Sequence, residues 1–131
     1  MELKKLLVAI FFVGLVSSAK AEMIKPAENL SAYDVLKIQL NALKNNDDDD
    51  TGIKQTWLFA HPDNKKITGP YARFRIMLYD VHYRILLNHF SHKIDLIMNT
   101  DNKFVYGVKV LSDEKKQFYY LWHVERGNDK D

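Results

Sequence analysis

SHKIDLIMN, residues 91–99, is where the chain changes its period. Ile94, Leu96 and Met98 alternate with Lys93 and Asp95, which is the two-residue repeat of a strand with one face in a core and the other in water. The repeat continues downstream. NTDNK (99–103) supplies turn residues, FVYGVKVL (104–111) alternates again, SDEKK (112–116) makes a second polar turn, and QFYYLWHVE (117–125) alternates to the end. Three strands joined by short turns predict an antiparallel meander. Ile94, Leu96, Met98, Phe104, Tyr106, Val108, Val110, Phe118, Tyr120 and Trp122 are expected on one face, available for helices to cover. Gly107, inside the middle strand, predicts a bulge or bend that curls the sheet. The last strand is aromatic and is followed by the polar ERGNDKD, so it is expected to leave an exposed edge.

Upstream the apolar period is three to four residues. In NLSAYDVLKIQLNALKNN, Leu30, Tyr33, Leu36, Leu40 and Leu43 share a helical face, widened by Val35, Ile38 and Ala42. Ser31, with Asp34 three residues on, predicts a capped start. Asp47 to Asp50 ends this helix, because four adjacent like charges repel and a helix C-terminus disfavours anions. Consecutive carboxylates cannot all turn to one ion and the glycine of a calcium loop is missing, so the run is expected to be a solvated turn whose last acid favours the start of the next helix. A second helix, TGIKQTWLFA, places Ile53, Trp57 and Ala60 on one side. Pro70 opens a third with Phe74, Met77 and Leu78 inward, and HYRILLNHF adds a short helical turn with Tyr83, Leu86 and Leu87.

The N-terminal MELKKLLVAIFFVGLVSSAKAE has the zones of an export signal: Lys4 and Lys5, an apolar run from Leu6 to Val16, then Ala19-Lys20-Ala21 before a cleavage expected ahead of Glu22. At ~1.5 Å per residue the run reaches only about 16 Å, against a hydrocarbon core of about 30 Å. No stable membrane span is expected after cleavage, and the mature chain is expected to be periplasmic or secreted. Residues 1–21 hold three of the 19 basic and one of the 17 acidic side chains, so the remainder is close to neutral. That balance gives no warrant for nucleic acid as a partner. There is no cysteine, which removes disulfides, thiolate metal sites and thiol nucleophiles. The fold class expected is α+β, with N-terminal helices packed on one face of a curled antiparallel three-stranded meander. It forms a single domain over 22–131 with its ordered core at about 28–125.

QLNALKNND, GIKQTWLFAHPDNKKITGPYARF and YRILLNH together resemble domain-of-unknown-function family 4864. The family pattern joins a helix with Gln and Leu, an Asp-rich turn, Phe-Ala-x-Pro-x-Asn, and Thr-Gly-Pro before a helix with Arg-Phe. The resemblance covers roughly 28–125, and Asn64 with Thr68-Gly69-Pro70 is its most specific part. Members often have serine where His61 stands, and tend to continue past Arg126 into one more strand, so the chain is expected to be short at that end or to have diverged there. The family has no established activity, so the resemblance implies a class and no mechanism. Helices followed by a curled sheet are also similar to cystatin-like and nuclear-transport-factor-2-like architectures, an analogy of fold alone.

Between the second and third helices, Asn64, Lys65, Thr68, Gly69, Tyr71 and Arg73 form the candidate ligand-binding set. The amides after Pro70 open a helix, and the flanking cations could hold a carboxylate or phosphate there. The same residues also suit a corner that bonds only to itself. His61, with Asp63 and Tyr71, carries the alternative of a small hydrolase, although no activated nucleophile is recognisable nearby. His82, His89 and His92 lack the spacing of a zinc helix, so no metal or cofactor is expected. The aromatic stripe of the strands reads as core or as the lining of a cavity. The function expected is a non-enzymatic exported domain that binds a small ligand or a protein partner.

Overall fold

The computed structural model describes residues 22–126; the export signal expected at 1–21 lies outside them. Within this span the order is α1 (Ala32–Lys44), α2 (Thr51–Leu58), α3 (Pro62–Thr68), α4 (Tyr71–Leu78), a 3-10 turn (Arg84–Leu86), β1 (Ser91–Asn99), β2 (Lys103–Leu111) and β3 (Gln117–Glu125). The strands form one antiparallel sheet in the order β1-β2-β3. The protein is therefore an α+β domain of helices followed by an open meander.

Helix α1 starts where its sequence predicts. Ser31 Oγ accepts from the Asp34 amide at 3.0 Å and the Asp34 carboxylate accepts from the Ser31 amide at 3.0 Å, which satisfies two otherwise orphaned donors. Its Leu36, Leu40 and Leu43 are fully buried, together with Ile53 of α2 and Val108 and Val110 of β2. Gln39 joins three elements at the centre of this packing. Its side-chain nitrogen donates to the Thr56 carbonyl of α2 at 3.1 Å, and its oxygen accepts from Trp122 Nε1 of β3 at 2.9 Å. A buried amide needs such partners, and here they tie the helix layer to the sheet.

Four details depart from the sequence reading. The segment after His61 is not a loop but the short helix α3, because Pro62 is preset for a first helical turn and His61 Nδ1 accepts from the Asp63 amide. The irregularity of the sheet lies not at Gly107 but between Leu96 and Met98 of β1, where the register shifts. The extra residue turns Met98 to the outer face opposite Val105, away from the core side expected for it. Gly107 pairs regularly with Asp95 and Leu121, and its missing Cβ leaves room for Tyr119 and Ile97, which close over it. The fourth departure is Asp50, which is buried and not solvated.

Candidate functional site

The acidic run is not a uniformly solvated turn. Asn46 Oδ1 accepts from the Gly52 and Ile53 amides, and Asp47 Oδ1 accepts from the Thr51 amide, so these two residues cap α2. Asp48 and Asp49 face water. Asp50 takes the left-handed conformation (φ 57°), which turns its side chain inward, and it is only 3% exposed. There its carboxylate accepts from Arg75 Nε at 2.6 Å, from Asn46 Nδ2 at 2.9 Å and from the Tyr79 hydroxyl. Burial alone would push the carboxyl up. Hydrogen bonds from Tyr79, Asn46 and Arg75 outweigh it and hold the Asp50 pKa below the usual carboxylate value. The same contacts raise Tyr79, chiefly through its bond to Asp50, and keep Arg75 charged. This cluster staples the α1–α2 turn to α4.

The expected ligand-binding corner is spread over α3 and the start of α4. Asn64 is exposed and contributes its carbonyl to the Thr68 hydroxyl at 2.9 Å, a bond within the helix. Lys65 lies over the Trp57 ring at 4.4 Å. Gly69 adopts φ 81°, and the side chain of Arg73 folds back against it. Tyr71 packs edge-on against Trp57, with ring centroids 5.7 Å apart, and burial, then the Asp50 charge, raises its hydroxyl pKa. The six residues are thus neighbours along one corner, engaged mainly with the corner itself. Trp57 Nε1 is buried beside them with no partner among the described residues.

His61, the centre of the hydrolase alternative, uses Nδ1 to cap α3, and its Nε2 stands 3.9 Å from Glu125 at the end of β3. No hydrogen bond joins it to Tyr71 among the described residues. The remaining histidines divide. His82 offers its carbonyl to the Tyr120 hydroxyl at 2.8 Å. His89 and His92 form a pair, with His89 Nε2 and His92 Nδ1 2.8 Å apart and His89 Nδ1 2.7 Å from the Leu86 carbonyl. A carbonyl can only accept, so His89 donates from Nδ1 and accepts at Nε2 from His92. No group of three or more metal-ligating side chains occurs among the described residues.

Burial lowers the pKa of both histidines, with the His89 charge a further cause at His92 and Lys44 nearby. The native pair thus stays neutral where the unfolded chain, with values near 6.5, takes up protons. Stability is complete above that value and declines as pH falls below it. The urea midpoint of the wild type is expected to drop between pH 7.5 and pH 5. Replacing both histidines by glutamine should flatten the profile in that window; an unchanged slope would mean that the pair is not its source.

No protein-family profile, curated protein or solved structure matches this chain.

One surface remains that no element covers among the described residues. On the sheet face turned away from the helices, Ile97, Met98, Tyr119 and Leu121 are each more than half exposed, around a floor of Val105 and Gly107. The outward alternation of a half-buried strand predicts polar residues there. Lys93, Asp95, Lys109 and His123 meet that rule, and the four apolar side chains break it. FVYGVKVL and QFYYLWHVE contain this signal already, since apolar residues stand in both phases of the alternation.

Proposed function

We propose that the protein is a non-enzymatic exported domain of family 4864 whose task is binding, with a protein partner taken on the outer face of its sheet. The Thr68-Gly69-Pro70 block supports the family and residues 1–21 support the export. The exposed apolar patch of Ile97, Met98, Tyr119 and Leu121 carries the reading. Large apolar side chains grouped on a solvent face are a mark of interaction surfaces. The space between helices and sheet is filled by leucine, valine and aromatic side chains, which favours a partner on the surface over a small ligand inside. A cleft of about 640 Å³ between the acidic turn and the β2–β3 turn is open and mostly polar.

A photo-crosslinker installed at Leu121, with Lys37 on the solvent side of α1 as control, tests the patch in the cells that make the protein. Adducts to another chain are expected at 121 and not at 37. Equal labelling, or none at 121, would remove the outer face as the binding surface.

A further inference from the structure

Strand β1 has a second unused surface, its edge. Eight of its nine residues pair with β2 on one side, Ile97 being the extra one at the register shift, and among the described residues no backbone or side-chain group hydrogen-bonds to the other. Side chains of the opposite edge strand, β3, reach the helical half of the chain: Tyr120 donates to the His82 carbonyl, Trp122 to Gln39, and Glu125 stands 3.9 Å from His61. An edge this long, with Leu96, Ile97 and Met98 all half exposed, is a template for another strand.

The side chains of β1 say which strand. Within its own sheet Lys93 lies directly opposite Lys109, a like-charge pair, and Asp95 lies opposite Gly107, which has no side chain. Neither Lys93 nor Asp95 has an ion-pair partner among the described residues. Antiparallel pairing of β1 with a second β1 about a two-fold axis at Ile94 puts Lys93 of each copy opposite Asp95 of the other. Two complementary pairs result, and Ile94 meets its own counterpart on the inner face. Any two-fold pairing must be self-complementary, and this register is. The helix layer is no obstacle, because α1 leans on β3 at the far side of the sheet.

We infer that this protein forms a homodimer through β1, joining two three-stranded sheets into one of six strands. The contact uses the edge of the sheet and not its outer face, so it goes beyond the binding reading above and stands or falls separately.

Sedimentation velocity of the folded chain beginning at Glu22 tests it with two variants. The wild type is expected to dimerise. K93D places like charges opposite each other twice, and should weaken dimerisation by about tenfold. K93D/D95K restores opposite charges in the same register and should recover the wild-type constant. A wild type that stays monomeric at several hundred micromolar overturns the proposal. So does a dimer indifferent to K93D, or one that the double exchange fails to rescue. K93D also removes the Lys93–Lys109 repulsion inside the monomer, so loss of dimer through unfolding would show as a lowered Tm, which is not expected. A monomer that still gives adducts at Leu121 overturns the edge pairing alone.

Discussion

Gly52→Ala is expected to cost about 3 kcal/mol or more, at the upper end of what overpacking does. On helix propensity alone the change would gain up to about 1 kcal/mol, since alanine is the best helix former and glycine among the worst. The sign reverses because Gly52 lies where α2 crosses the end of α1. A Cβ there would overlap the main-chain carbonyl of Ala42 and press on Asn46 Oδ1 at 2.9 Å. A carbonyl in a helix cannot swing aside as a side chain can, so the helices must part. Parting them also strains the bonds from the Gly52 and Ile53 amides to Asn46 Oδ1, at 3.1 and 3.3 Å, and disturbs the fully buried Ile53. Ala42→Gly should bring no relief, because the colliding atom is not in the Ala42 side chain. Urea unfolding followed by far-ultraviolet circular dichroism measures the effect. An alanine variant as stable as the wild type would show that the helices do not approach so closely.

Asp50→Asn is expected to cost about 1.5–3 kcal/mol near neutral pH, the range for hydrogen bonds to a charged group. Asparagine tolerates the left-handed backbone, so this change isolates the charge. Asp50→Ala should cost more, because a methyl-bearing residue at φ 57° adds a further ~1–2 kcal/mol of backbone strain. The cost should also depend on acidity in a definite direction. The folded carboxyl is held below its ordinary 3.8, so its contribution is complete above that value and is lost as pH falls through the folded value. Wild type and Asp50→Asn are therefore expected to converge in stability in strong acid. A gap that persists there would assign the effect to shape and not to charge.

These two positions also show what the sequence makes legible. The stripe of Leu36, Leu40 and Leu43 and the Ser31–Asp34 cap are local patterns, and α1 follows from them. The three strands follow equally from alternation and turn residues. Asp50 could not be separated from Asp47, Asp48 and Asp49 in this way, because its partners Arg75 and Tyr79 stand 25 and 29 residues further on. The bulge after Leu96 was hidden for a different reason. In the apolar run from Leu96 to Met98, a shift of one residue leaves the pattern almost unchanged, so side-chain chemistry does not set the register there. At the Asn64–Arg73 corner the sequence supplied the residues and their neighbourhood, while their engagement with Trp57, with the α3 backbone and with Gly69 is a product of the helix at 62–68, which the loop-like composition concealed.

The contact between Gln39 and Trp122 also sets a clock for biosynthesis. The two residues are 83 positions apart. At a synthesis rate of about 5–20 residues per second, α1 leaves the ribosome roughly 4–17 seconds before the strand that covers it exists. For that interval Leu36, Leu40 and Leu43 have no sheet to lie on. The helix made early waits longest for its sheet, and during that wait the nascent chain presents its leucine stripe to whatever chaperone meets it.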